Sequence, residues 1–314
     1  MIDRFLDILN LIYLQVFGLF LIFFMLSFFW EKIYMQFSLK AYQSKQRLHN
    51  DEISRVSGFF IFLFLIIVAM FSLKSNFLNI ILISAIPIII IGTKEDLFHN
   101  TSPKLRLIMM VLSAGLFIYL TPVQLPSIDF QLANTILSIG YMREIFFIFA
   151  ILVIINGNNL IDGVNGNLAF SNIIQLLSIL FLASIVSDEK IIELVYVLLI
   201  PLMIFTLFNF PFGRIFCGDA GAYFYGFSIS ASVIYLFGSY DNLLSWNAIL
   251  ILIYPSIELL FSFIRKKLVE NKSPLIADTK HLHSLIYRFI NRQNPEFNNN
   301  NSLVTICLLP FIVA

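Results

Sequence analysis

A helix needs about 20 consecutive apolar residues to cross the hydrocarbon core of a bilayer, and this chain supplies such runs one after another. They cover 8–30, 57–73, 77–92, 105–120, 168–186, 191–208, 220–238 and 247–264. A shorter run, 145–155, must recruit flanking residues to span, and one that starts at Leu303 is cut off at Ala314. In hydrocarbon every backbone N–H and C=O must be paired within its own segment, so such a chain folds as a bundle of helices. The expectation is an all-α polytopic membrane protein of about ten transmembrane helices. Nine are complete, the tenth reads as truncated, and residues 1–314 form a single integral membrane domain.

Composition agrees. Hydrophobic residues make up 59% of the chain and charged residues 12%, about half the charge of a soluble domain, and the mean hydropathy is +0.88. A net charge of +1 gives no basic field for nucleic acid. Cys217 and Cys307 are too few for a disulfide framework. A signal peptide has a positive start, a short apolar run and a small-residue exit; the first run here has neither the charge nor the exit, and reads as a retained helix.

Positive charge orients the bundle. With nine spans the loops 31–56, 93–104, 156–167, 209–219 and 265–302 share one side. Together with the adjoining helix ends they hold 16 of the 20 Lys and Arg residues, leaving Arg4, Lys74, Arg143 and Lys190 opposite. The richer side is expected to be cytoplasmic. All four histidines (His49, His99, His281 and His283) fall there. The long opposite loop, 121–144, carries no cluster of catalytic residue types. The active site is therefore expected on the cytoplasmic face, with the weak span at 145–155 as the hinge of the argument.

Five stretches on that side carry chemistry. Glu95-Asp96 is an adjacent acid pair at a span end, able to hold a divalent cation or to act as a base, or simply a solvated helix end. Ser102-Pro103 reads as the next helix start, with Lys104 and Arg106 facing headgroups. In 156–167, Asn156, Asn159 and Asp162 recur every three residues, which puts them on one face of a helical turn; a polar Asn/Gly turn is the plainer reading. Asp219 lies between glycines at the mouth of the span at 220, as a magnesium ligand, an N-cap or both, while Cys217 reads as a small buried residue. The last loop offers Arg265-Lys266-Lys267 as a membrane anchor, then His281, His283 and Arg288, a set able to clamp phosphate or, with further ligands, a transition metal. The first loop adds Lys45, Arg47, His49 and Arg55, basic residues near a lipid phosphate or plain topology charge. Glu258 is an acid inside a span, where it is expected to be functional or paired.

Taken in order, these stretches resemble the polyprenyl-phosphate N-acetylhexosamine-1-phosphate transferases, the glycosyltransferase 4 group that includes the phospho-MurNAc-pentapeptide translocases. Ser54-Arg55-Val56-Ser57-Gly58 is similar to the first cytoplasmic motif, with Ser57 where Gly is usual. Glu95-Asp96 resembles the Asp-Asp pair with Glu in first place. Asn156, Asn159 and Asp162-Gly163 match Asn-x-x-Asn-x-x-Asp-Gly, and Asn165 stands where many members have Asp. Asn209 and Asp219 match an Asn ten residues before a Gly-Asp-x-Gly motif. Asp278, His281 and His283 match a final Asp-x-x-His-x-His-His element, with Ser284 in place of the last His.

The resemblance implies transfer of a sugar-1-phosphate, N-acetylhexosamine-1-phosphate by expectation, from a UDP-sugar to undecaprenyl phosphate with release of UMP. That is the first membrane step of an O-antigen, capsule or other cell-wall glycan, at the bacterial plasma membrane. It implies magnesium, or manganese, held by Asp219 and Asp96. Glu95, Asp96 and Asp219 are the implied catalytic residues. Arg55, Asn156, Asn159, Asp162, Asn165, Asn209, His281, His283 and Arg288 are the implied substrate-binding residues. A homodimer is allowed for. The competing classes are a transporter or lipid flippase, which predicts polar residues near mid-span, and an inactive homologue, which the Glu95, Asn165 and Ser284 departures would permit.

Overall fold

The computed structural model describes residues 16–26, 53–71, 76–269, 271, 281–293 and 301–313. Lys45, Arg47, His49 and Asp278 lie outside them, as do the flanks of the first span. The described helices, in chain order, are α1 (Val16–Leu26), α2 (Ser57–Phe71), α3 (Asn76–Phe98), α4 (Pro103–Leu120), α5 (Gln131–Leu137), α6 (Met142–Ile161), α7 (Asn167–Val186), α8 (Glu189–Asn209), α9 (Gly218–Ser239), α10 (Ser245–Ile264), α11 (Leu282–Gln293) and α12 (Ser302–Val313). Among the described residues extended pairing is limited to one isolated parallel bridge, Ser54 with Ile215, so the all-α expectation holds. Among the described residues seven helices are long and apolar enough to cross a membrane, and α1, α2 and α12 are shorter apolar helices as far as they are described.

The weak run at 145–155 becomes the 20-residue α6 by taking in Met142–Glu144 and then Asn156–Ile161. Polar residues read from sequence as a loop are thus its last turns. Asp96 likewise lies inside α3, which runs on to Phe98. Ser102 does cap α4, accepting a hydrogen bond from the Leu105 N–H at 3.3 Å, with Pro103 in the first turn. The long loop 121–144 is built rather than slack: it contains α5, and Asn134 accepts from the Ile128 N–H at 2.9 Å.

The bundle is organised around α9, whose apolar stretch is wholly buried, in contrast to α4 and α10, which bury only 22% of theirs. Helices α2, α3, α6, α7 and α10 all pack on α9. Its sequence explains this, since Ala220, Gly221, Ala222, Gly226, Ser228, Ser230 and Ala231 leave room for neighbouring backbones. A Cβ on Gly58 of α2 would lie 2.1 Å from Gly221 N, and one on Gly92 of α3 would lie 2.5 Å from the Ala220 Cα. Farther along, a Phe62–Phe224 edge contact at 5.5 Å holds α2 to α9 again, and a Phe117–Phe227 edge contact at 5.9 Å adds α4. The approaches of α2 and α3 fall at the first turn of α9, and that turn is where the polar residues gather.

Candidate active site

A helix leaves its first backbone N–H groups without intrahelical partners. At α9 they are met by carboxylates from two other helices. Asp162, just past the end of α6, accepts from Gly218 N at 3.1 Å. Asp96 of α3 accepts from Asp219 N at 2.7 Å and from Ala220 N at 3.0 Å, one per oxygen. Asp219 is therefore not the N-cap that sequence allowed. The cap position is Cys217, which makes no side-chain capping bond, and long-range acids do the work. Gly218 has φ +73° and a Cβ there would lie 1.9 Å from the Arg55 carbonyl oxygen, so glycine is required at this crossing.

This capping leaves the Asp219 side chain aimed into the site. Its Oδ1 accepts from Asn159 Nδ2 at 2.9 Å; its Oδ2 takes the Tyr223 hydroxyl at 2.8 Å and an ion pair with Arg106 Nη1 at 3.2 Å. Arg106 was expected to face headgroups; instead it turns inward from the first turn of α4 to neutralise Asp219. Sequence reasoning also passed over Tyr223, although it stands one helical turn from Asp219, where side chains meet.

The other expected residues divide into groups. Asn156 donates to the Leu152 carbonyl at 2.8 Å and to Met110 Sδ at 3.3 Å, one turn from Asn159 on the same side of α6. Asn209 links two loops, accepting from Gly166 N at 2.6 Å and donating to the Ile215 carbonyl at 2.8 Å. Asn165 donates to the Pro211 carbonyl at 2.9 Å and to Ser302 Oγ at 3.3 Å, tying the start of α12 to the same end of the bundle. Glu95 receives the Thr101 N–H at 3.0 Å and its hydroxyl, and so braces the α3–α4 link while adding negative charge near Arg55 and Arg106. Arg55 is half-buried and lies in the field of Asp219, Asp96, Asp162 and Glu95.

His281 and His283 are both buried, with rings stacked 5.5 Å apart at 12°. The His283 ring lies over Gly163, where a Cβ would come within 2.5 Å of Nε2. The Asp162-Gly163 pair thereby joins the histidines to the Asp219 cluster. Both ring nitrogens of His281 and Nδ1 of His283 have no hydrogen-bond partner among the described residues. Glu258 accepts from the Leu282 N–H and lies near Arg265, which fixes the start of α11. Arg288 is not brought to this pair; it lies on the exposed face of α11.

Electrostatics follow from burial. Burial raises the Asp162 carboxyl to about 7 even though Arg55 and the Gly218 N–H favour its charged form. At Arg55 burial opposes the charge, but the surrounding carboxylates outweigh it and raise the pKa. Burial, with Lys266 and Arg265 nearby, lowers His281 to about 4; burial, then His281, lowers His283 to about 3. Both imidazoles are neutral at neutral pH and offer one N–H donor and one acceptor each. Cys217 is pushed up by burial and stays a thiol.

The glycosyl transferase family 4 model matches residues 78–237, a span that contains Asp96, Arg106, Asn159, Asp162, Asp219 and Tyr223. A probable undecaprenyl-phosphate N-acetylglucosaminyl 1-phosphate transferase of Bacillus subtilis is 27% identical over 86% of this chain and 74% of its own length. An undecaprenyl-phosphate alpha-N-acetylglucosaminyl 1-phosphate transferase of Thermotoga maritima is 25% identical over 85% of this chain and 80% of its own. A phospho-N-acetylmuramoyl-pentapeptide-transferase of Streptococcus pyogenes is 27% identical over 67% of this chain and 71% of its own. With the matched segment taking in half the sequence and the polar cluster at the head of α9, the chain belongs to glycosyl transferase family 4.

Proposed function

We propose that this protein transfers N-acetylglucosamine-1-phosphate from its UDP-sugar to undecaprenyl phosphate, releasing UMP at the cytoplasmic face of the bacterial plasma membrane, as the first membrane step of a cell-surface glycan. The observation that carries this reading is the convergence of Asp96, Asp162 and Asp219, from three helices, on the first turn of α9. The names of the relatives supply the acceptor and the sugar.

The donor chemistry suits magnesium. Hard carboxylate oxygens gather there, and magnesium typically takes one or two carboxylates, substrate phosphates and water rather than a closed protein cage. Among the described residues no three His, Cys, Asp or Glu side chains form such a cage. Asp219 would hold the ion, because its partners are side chains that can move aside. Asp96 spends one lone pair of each oxygen on the helix and keeps the others, so its part is to fix α9, with lone pairs left that would help hold the ion. Magnesium held there would neutralise the diphosphate and the charge that develops during phosphoryl transfer.

The remaining roles belong to side chains. Arg55 and Arg106 supply positive charge beside the carboxylates for the phosphates of donor and acceptor. Asn159 and Tyr223 hold Asp219 in position. The neutral His281 and His283 donate N–H groups to the sugar or its phosphate. Asn165 and Asn209 would frame the nucleotide site by holding its loops, and Asn156 by linking α6 to α4.

The test mixes purified protein, magnesium and undecaprenyl phosphate with a panel of UDP-N-acetylhexosamines and follows UMP. UDP-N-acetylglucosamine should give UMP, and Asp219→Asn should lower the rate at least about 100-fold. No UMP with any sugar, or a rate indifferent to Asp219→Asn, would remove the transferase reading.

A further inference from the structure

We propose that α11 is an interfacial helix whose outer face docks on anionic phospholipid headgroups, so that the histidine pair is held against the bilayer surface. The helix has two apolar stripes. The inner one, His283, Ile286, Tyr287 and Ile290, faces the molecule; its Ile and Tyr side chains pack on Val164, Val304 and Leu308. The outer one leaves Leu282, Leu285 and Phe289 at 40%, 43% and 63% exposure. A helix face in water rarely keeps three large hydrophobes open in a row.

The occupant follows from what surrounds that stripe. Leu285 and Phe289 share a groove with Arg288, Asn291 and Arg292. Apolar side chains that enter the acyl boundary, interleaved with arginines at headgroup level, are the pattern of a helix lying in a bilayer interface. Each basic residue near an anionic surface contributes attraction that a neutral lipid cannot supply. Chain order gives the same height. The membrane-spanning α10 precedes α11, the apolar α12 follows it, and the Asn165–Ser302 bond sets the start of α12 at the active-site end. Arg288, five residues after His283, sits about 140° around the helix from it. The arginine that sequence assigned to the substrate phosphate thus sits on the exposed flank of α11, beside Leu285 and Phe289. Bulk anionic phospholipid is the committed occupant, not the acceptor lipid.

The test reads position, independently of turnover. The full chain carrying Cys307→Ser and Phe289→Cys, with Cys217 buried, takes a nitroxide label and is placed in nanodiscs. In phosphatidylcholine with 30% phosphatidylglycerol the label should be several-fold more accessible to oxygen than to a water-soluble nickel chelate. In phosphatidylcholine alone, or after Arg288→Gln with Arg292→Gln, that preference should fall at least two-fold. A label as open to nickel as one at the exposed Lys94 would overturn the proposal. So would equal depth in both lipids. If stoichiometric undecaprenyl phosphate in phosphatidylcholine restores the full depth, the groove belongs to the acceptor and the proposal fails.

Discussion

Asp162 changes its charge state in the working range. Burial holds its carboxyl at about 7, so it is neutral below that pH and charged above. The charged form makes the stronger bond to Gly218 N and suits the positive end of α9. Turnover should therefore rise with pH through a midpoint near 7. Asp162→Asn keeps an oxygen for Gly218 but has no proton to lose, so its pH profile should lack that inflection. A phosphate monoester acceptor also titrates near pH 6, so comparison of the two profiles, not the wild-type curve, is the deciding measurement. Gly163 offers a second check at this scale. Gly163→Ala drives a methyl into the His283 ring and should lower kcat/KM about ten-fold, whereas in a His283→Ala background it should cost little. The double-mutant coupling should be about 1–3 kcal/mol, and additive effects would separate the two residues. These positions were legible in sequence because their spacing is local. Arg106 was not, since an arginine after Ser-Pro looks the same whether it meets a headgroup or, 113 positions away, Asp219.

At the scale of elements, the spans were readable from apolar runs, and the ends were not. Asn156 and Asn159 broke the run at 155, yet α6 continues through them to Ile161, because their side chains find partners on α4 and α9 that an isolated segment lacks. The same applies to α3, where Asp96 is affordable inside a helix only because two orphan N–H groups of α9 receive it. Close packing makes that exchange possible, and small residues make the packing possible. Gly58→Ala and Gly92→Ala place a carbon against the backbone of α9. Each should destabilise the fold by about 1–3 kcal/mol, seen as a lower thermal midpoint in detergent, together with lost activity as the Asp96 bonds lengthen. Gly115→Ala, with nothing within 4 Å of its Cβ, is the control and should leave both unchanged. Equal effects at all three sites would mean that α9 is not the tight axis described.

At the scale of the molecule, sidedness ties the fold to the chemistry. Asp96 ends α3, Arg106 begins α4, Asp162 follows α6, Asn209 ends α8 and Asp219 begins α9. Their hydrogen bonds require all five at one end of the bundle, which the alternation of spans supplies only if α6 crosses fully. A half-crossing α6 would put Asp162 in the bilayer and return α7 to the wrong side. The charge asymmetry predicts that this end is cytoplasmic, where a UDP-sugar would arrive. Reporters active only in the periplasm or only in the cytoplasm, fused after Asn167 and after Ser239, should therefore give opposite readings, with the fusion after Asn167 cytoplasmic and that after Ser239 outside. A fusion after Lys190, in the first turn of α8, should also read outside. If the Asn167 fusion reads outside while the Lys190 fusion reads inside, the orientation is inverted and the site faces away from its proposed donor. If both read the same, α7 does not cross, and the meeting of Asn165 with Pro211 needs a different path for the chain.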